Sequence, residues 1–271
     1  MSSSLKYEGL KFSKGSVMKV ADPLAVEQAL QININGKSFT VVMQTPGAEK
    51  ELVFGLLYGE DVLKKDSVFE LEIQQNKSGV IELINVVSDA QKLGKGYLST
   101  RSLLSVSSCG ICGKQELGDL NSNESSLTSD EKFTRSALQK MQQTMFDQQV
   151  LFKETGGCHV VAAFDGNGNM LALFEDIGRH NALDKVVGKL LYDQTLKEAK
   201  VITFSGRISY EIVSKSFRAK IPVIVAVSAA SSLAVDFAKE FGLTLLSFAR
   251  GEQFTCYANP GRIVEDLGFG N

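Results

Sequence analysis

Cys109 and Cys112 stand two residues apart in SSCGICGKQ, framed by Gly110 and Gly113. That spacing suits three chemistries: half of a tetrahedral zinc site, dithiol–disulfide exchange, or carriage of one sulfur atom as a persulfide. A closed zinc site takes four ligands, commonly as two close pairs. Here the remaining thiols, Cys158 and Cys256, are far from the pair and from each other in sequence. A zinc deaminase would need a His-x-Glu element before Pro-Cys-x-x-Cys. His159 is instead followed by Val-Val, His180 by Asn-Ala, and Ser108 precedes Cys109. A thioredoxin-type pair opens a helix after a strand, whereas these glycines and the polar run after them predict an accessible loop. As a sulfur carrier, the loop would bring backbone N–H groups to an anionic sulfur, and Lys114 would favour the thiolate. Cys112 would then shield the carried sulfur or attack the persulfide and expel it. The spacing alone leaves exchange and carriage both open.

A second set of residues lies at the ends of predicted strands. SGRIS (Ser205 to Ser209), SAASS (Ser228 to Ser232) and ARGEQ (Ala249 to Gln253) each follow a short apolar run, and two of them carry an arginine, Arg207 and Arg250. The first two also open predicted helices, whose free N–H groups and dipoles favour anions. In layered α/β sheets, ligands bind beyond the carboxyl ends of the strands. If these strands are parallel, the three loops meet on one edge suited to a phosphate-bearing ligand. Helix capping and turn formation account for the same residue types in any single loop. No P-loop and no GxGxxG after a strand is present. EDIGRHNALDK adds Arg179, His180 and Lys185 around the start of another helix, where they could support an anion site or meet a partner subunit.

The elements that must position these groups follow from periodicity. From about Gly156, HVVAAF and MLALF flank DGNGN as a hairpin, and a helix with Leu183, Val186, Val187, Leu190 and Leu191 on one face follows. Strand VITF, helix ISYEIVSKSFRAK, strand IPVIVAV, helix SSLAVDFAKEF and strand LTLLSFA then alternate. Short, nearly continuous apolar strands between amphipathic helices indicate parallel strands buried on both faces. The fold class is therefore α/β, a layered mixed sheet with helices on both faces over residues 131–271. Residues 1–105 read as a small N-terminal α+β domain, and 106–130 as the CxxC loop and a polar linker. In the first unit, Asn35-Gly36 marks a tight hairpin. Thr45 and Pro46 mark a helix start, and FELEIQQ and VIELINVV form strands around a turn at Asn76 to Gly79. Thr128 and Glu131 have the spacing of a capping box for a helix running to about Met145.

Composition narrows the partners. The 271 residues carry 44% hydrophobic and 22% charged residues and a net charge of −2. That gives no bulk attraction to duplex nucleic acid or an anionic membrane. The first twenty residues lack the pattern of a secretory signal, and no apolar run approaches the roughly 20 residues of a membrane span. The expectation is a cytoplasmic protein whose thiols are reduced at rest.

SCGICGK, TGGCHVVAAF, EDIGRHNALDKVVG, SGRISYEIVSK, VSAASSLAVDFAKEFGLTLLSFARG and YANPGRI, in this order, resemble the FdhD family of formate dehydrogenase accessory sulfurtransferases. NGKSFTVVMQTPGAEKELVFGLLYGEDVL extends the resemblance towards the N-terminus. It implies a cytidine-deaminase-like architecture without zinc, a small N-terminal domain and a homodimer. It also implies a sulfurtransferase that takes sulfur from a cysteine desulfurase. The acceptor would be the molybdenum bis(molybdopterin guanine dinucleotide) cofactor of formate dehydrogenase. By motif, Cys109 matches the persulfide-bearing cysteine and Cys112 its partner. Phe248, Ala249, Arg250, Gly251, Glu252 and Gln253 match the cofactor-binding segment, with Ser205, Arg207 and Ser228 on the loops beside it. The alternatives are a non-catalytic cofactor-binding chaperone of formate dehydrogenase, which would tolerate loss of both cysteines, and a dithiol oxidoreductase. Cys158 reads as a buried core cysteine.

Overall fold

The computed structural model of the protein describes residues 3–98 and 125–266. The chain begins with a two-stranded ribbon, β1 (Ser4–Ser13) and β2 (Ser16–Ala25), which was not foreseen from the sequence. A four-stranded sheet follows, built from β3 (Gln28–Ile34), β4 (Lys37–Gln44), β5 (Glu70–Gln75) and β6 (Ile81–Val87). Its order is β4-β3-β6-β5, with β3 and β6 parallel. Asn35 and Gly36 make the expected tight turn, both at positive φ, and helix α1 (Glu49–Gly59) crosses over from β4. The short helix α2 (Lys95–Leu98) ends the first described segment.

The second segment opens with β7 (Phe133–Thr134), α3 (Arg135–Asp147) and α4 (Val150–Thr155). The hairpin β8 (His159–Phe164) and β9 (Met170–Asp176) leads into α5 (Arg179–Tyr192). Then β10 (Val201–Phe204), α6 (Tyr210–Arg218), β11 (Val223–Ala226), α7 (Ser232–Glu240) and β12 (Thr244–Arg250) alternate as expected. β13 (Gln253–Ala258) and β14 (Ile263–Val264) close the chain, the latter beside β7. The main sheet runs β13-β12-β11-β10-β8-β9; β10, β11 and β12 are parallel, and the outer strands are antiparallel to their neighbours.

Alternate residues of each strand serve opposite layers. Val161, Ala163, Ile202, Phe204, Ile224, Ala226 and Leu245 join the apolar faces of α5, α6 and α7. Val160, Ala162, Val201, Val223, Val225 and Leu246 face Leu138, Met141 and Met145 of α3. The mixed α/β class with helices on both faces is therefore observed. Leu30, Ile32 and Ile84 of the smaller sheet belong to the same cluster as α5 to α7, so one core runs through both parts. Its junction is the crossing of α1 and α5. A Cβ at Gly55 would lie 1.9 Å from the Asp184 carbonyl oxygen, and one at Gly188 would lie 1.9 Å from that of Glu51. No described helix is long and apolar enough to cross a membrane.

Two helix starts differ from expectation. α1 begins at Glu49, after left-handed Gly47 and Ala48, and Thr45 does not cap it. The Thr45 hydroxyl instead accepts the Ile177 N–H at 3.1 Å, because tertiary contact competes for it. Thr128 and Glu131 do not form a capping box. Arg262 donates to the Leu127 and Ser129 carbonyls and holds that stretch out of a helix. α3 starts at Arg135, capped by Thr134, whose hydroxyl accepts the Ala137 N–H at 3.2 Å.

Candidate functional site

Because β10, β11 and β12 are parallel, their carboxyl ends share one edge. The three loops there are also hydrogen-bonded to one another. The Ile208 N–H donates to the Ala229 carbonyl at 3.0 Å, and the Ser231 N–H donates to that of Ile208 at 3.0 Å. The Phe248 N–H donates to the Ser228 carbonyl and Arg250 Nε to that of Val227, both at 3.2 Å. Ser205, Arg207, Ser228 and the 248–253 segment are thus brought together. Ser205 Oγ already accepts the Val160 N–H at 2.9 Å, so its hydroxyl also ties β10 to β8.

The start of α5 and the start of β8 bring Arg179 and His159 to the β10 end. A Cβ at Gly206 would lie 3.1 Å from His159 Nδ1 and 3.5 Å from Arg179 Cδ, so this glycine lets the two side chains close over the loop. Burial and the neighbouring Arg207 both act to lower the Arg179 pKa. Burial, then Arg179, lowers that of His159. Arg179 Nε is buried without a hydrogen-bond partner. Among the described residues neither Arg179 nor Arg207 makes an ion pair. Two like charges held together with an unused donor make an environment that an oxyanion would stabilise. As a functional candidate, His159 figures in the sequence only in the rejected zinc motif. Its place beside Arg179 depends on the pairing of β8 with β10, which local sequence does not encode.

His180 has a different setting. Its Nε2 lies 3.2 Å from both Ser209 Oγ and Glu211 Oε2. Burial, reinforced by Lys215 and Arg179, lowers its pKa to about 3, so the ring is neutral at pH 7. Hydroxyl and carboxylate meet the same ring nitrogen, whereas a Ser-His-Asp relay needs them on opposite nitrogens. Lys185 is buried, with Nζ 2.6 Å from Asp176 Oδ2, 2.6 Å from the Thr45 carbonyl and 3.2 Å from Gln44 Oε1. These three contacts use its donors within the protein.

At the β12 end, the pairing with β13 slips between Ser247 and Arg250. Phe248 takes left-handed φ of 53° and remains 44% exposed. A non-glycine residue in that region costs about 1–2 kcal/mol, and its strain re-aims the ring out of the sheet. Ala249 is buried, and its carbonyl accepts from Gln142 Nε2 of α3, which fixes the bulge from behind. Phe248, Glu252 and Gln253 line a cavity of about 430 Å³ with Arg135, Phe254 and Thr255. Arg135 comes from the first turn of α3, so sequence proximity could not place it there.

Cys109 and Cys112 lie outside the described residues. Cys158 is buried, its thiol donating to Glu175 Oε1 at 3.4 Å, and burial beside that carboxylate pushes its pKa up to about 12. Burial also raises the pKa of Cys256, whose thiol donates to the Ala258 carbonyl at 3.3 Å. Cys158 directly precedes β8 and Cys256 lies in β13, and β10, β11 and β12 stand between those two strands. At roughly 4.8 Å per strand, about 19 Å divides them, too far for a shared zinc ion with bonds of about 2.3 Å. A four-thiolate site from all four cysteines is therefore excluded.

Residues 25–264 match the family described as FdhD/NarQ. The chain belongs to the FdhD/NarQ family. It is 38% identical over 247 residues to a protein of Sulfolobus acidocaldarius named sulfur carrier protein FdhD, spanning 89% of this chain and 91% of the relative. A protein of that name from Saccharolobus solfataricus is 38% identical over 264 residues, spanning 95% and 97%. One from Thermoplasma acidophilum is 36% identical over 253 residues, spanning 91% and 89%. A crystal structure of a protein assigned as a formate dehydrogenase accessory protein from Desulfotalea psychrophila has the same fold. Its TM-score is 0.75 at 23% identity, over 96% of this chain and 99% of that one. The stretch matching the FdhD/NarQ family holds the CxxC pair and all three strand-end loops; residues 4–24 of the ribbon precede it.

Proposed function

We propose that the protein is a cytoplasmic, homodimeric sulfur carrier that relays sulfane sulfur through Cys109 onto the molybdenum bis(molybdopterin guanine dinucleotide) cofactor of formate dehydrogenase. The observation that carries the reading is family membership across the CxxC pair, together with relatives named as sulfur carriers. The convergent strand-end loops, with Arg179, Arg207 and Arg250 and a cavity beside Phe248, suit a substrate bearing pyrophosphates and guanines. The unpartnered Arg179 Nε fits such an oxyanion.

In this scheme the Cys109 thiolate attacks the terminal sulfur of a persulfide on the cysteine desulfurase. The donor S–S bond breaks, the donor cysteine leaves as thiolate, and a Cys109 persulfide forms. Once the acceptor is bound, the Cys112 thiolate attacks the inner sulfur, forming the Cys109–Cys112 disulfide and expelling hydrosulfide towards the acceptor; without acceptor the persulfide persists. A dithiol reductant returns the pair to the reduced state. The role of the strand-end residues is to hold the acceptor by its phosphates.

The test is intact-protein mass spectrometry after incubation with a cysteine desulfurase and cysteine. The expected result is gain of one sulfur, reversed by reductant and absent in Cys109→Ala. No gain, with guanine nucleotide still bound, would replace this reading with a cofactor-binding chaperone. A reversible Cys109–Cys112 disulfide without any desulfurase requirement would replace it with a dithiol oxidoreductase.

A further inference from the structure

The stretch that carries Cys109 and Cys112 joins the described residues at two ends, after α2 and before β7. Each end is fastened by close backbone contact and by one arginine. At the first, the Gly94 N–H donates to the Val62 carbonyl at 2.9 Å and the Gly96 N–H to that of Asp61 at 3.1 Å. A Cβ at Gly94 would lie 1.9 Å from the Asp61 carbonyl oxygen, and one at Gly96 would lie 1.8 Å from that of Glu60. Only glycine permits such an approach. Arg218 grips the same turn from the end of α6. Its Nε donates to the Tyr58 carbonyl at 2.7 Å, and its Nη2 pairs with Asp61. The Tyr58 hydroxyl donates back to the Arg218 carbonyl at 2.8 Å.

The second end repeats the device. The Leu127 N–H donates to the Phe241 carbonyl at 2.9 Å, and a Cβ at Gly242 would lie 2.7 Å from the Leu127 carbonyl oxygen. Arg262 is buried there. It donates to the Leu127 carbonyl at 3.2 Å, to that of Ser129 at 3.3 Å and to that of Gly242 at 2.8 Å. A planar guanidinium fork holds several fixed carbonyls at once, which a lysine does not.

The helices that carry these anchors also carry the strand-end loops. α6 starts from the SGRIS loop and finishes at Arg218, and α7 starts from the SAASS loop and finishes at Glu240, before Phe241. Each is nine residues long, a rigid spacer of about 13.5 Å. We infer that Arg218 and Arg262 are positioning residues for sulfur transfer: by locking both ends of the CxxC stretch to α6 and α7, they fix its attachment relative to the loops that hold the acceptor. Misplacing a reacting group by about 1 Å can cost roughly 100-fold in rate. Uptake of sulfur from the donor needs only an accessible thiolate, so the anchors act on delivery and not on loading.

The inference rests on the carrier reading above, and its test separates the two. Three quantities are measured on the full chain, with circular dichroism to verify folding. They are sulfur gained from a cysteine desulfurase, by mass spectrometry; affinity for GDP, by calorimetry; and the rate of formate dehydrogenase activation. Arg218→Ala and Asp61→Ala are expected to gain sulfur and bind GDP within about twofold of wild type, yet to activate about tenfold more slowly. Asp61→Asn keeps an acceptor for Arg218 and tolerates the left-handed backbone there, φ 59°. It should restore activation to within about threefold of wild type. Arg262→Lys keeps the charge and loses the fork, and should behave as Arg218→Ala does. Unchanged activation in Arg218→Ala and Arg262→Lys would overturn the positioning role and leave the carrier reading standing. So would sulfur gain or GDP affinity falling in parallel with activation. No sulfur gain by the wild type would overturn the carrier reading, and this inference with it.

Discussion

At the scale of single residues, burial decides which titratable groups have chemistry to offer. Cys158 is a free thiol, yet a protonated side chain hydrogen-bonded to Glu175 is a poor nucleophile. His180 sits in the GRHNALDK block that singled it out, but its neutral ring is committed to Ser209 and Glu211. This has a measurable consequence. Its pKa is about 3 when folded, against an ordinary 6.5 in an unfolded chain. Between those values the unfolded chain binds the extra proton, so the contribution of His180 is full above about pH 6.5 and is lost as pH falls towards 3. Replacing His180 by Gln should flatten that part of the acid limb in melts taken at successive pH values. An unchanged slope would place the acid sensitivity elsewhere. The residue types of His159, Arg179, Arg207 and Arg250 were readable in sequence; the mutual repulsion that makes Arg179 and Arg207 informative was not.

At the scale of elements, periodicity carried most of the reading and capping the least. The alternating strands and helices from β8 to β12 lie where apolar spacing puts them. Their strands are too buried to be anything else, and each helix has one apolar face. Helix starts went astray where a tertiary partner claimed the capping side chain, as Ile177 claims Thr45. The β1–β2 ribbon was missed for a related reason. Its apolar residues do not face this chain's core, so their pattern has no internal partner to explain it. The α1–α5 crossing shows how tightly two elements can be specified by absent atoms. Gly55→Ala should cost about 3 kcal/mol in urea unfolding, since overpacking here meets backbone and not a movable side chain. Gly59→Ala on the same helix meets only the aliphatic part of Lys215 and should cost clearly less. Equal costs would show that the crossing can relax.

At the scale of the whole molecule, the smaller sheet and the layered sheet are held together by one apolar cluster and by buried charges, Lys185 among them. Lys185, from α5, reaches Asp176 at the end of β9 and the Thr45 carbonyl after β4. Asp176 is fully buried and also accepts from the Thr45 and Gly178 N–H groups and from Asn181. Removing one partner of such a pair leaves a stranded charge, at about 3–5 kcal/mol. Lys185→Met should therefore lose that much stability in a single cooperative transition. Two separate transitions would show that the two parts unfold independently.

The sequence by itself determined the α/β class, the order of strands and helices in the larger part, the family resemblance and the residue types at the strand ends. These are local or near-local properties, fixed by periodicity and turn chemistry. Tertiary structure alone decided which backbone groups tie the three strand-end loops together, and that Arg135 and Phe248 line one cavity. It also decided that His159 joins Arg179, and that Cys158 and Cys256 lie too far apart to share a metal. Each depends on strand order and register, which are set by which apolar faces bury against each other across more than a hundred residues. No window of sequence contains both sides of those contacts.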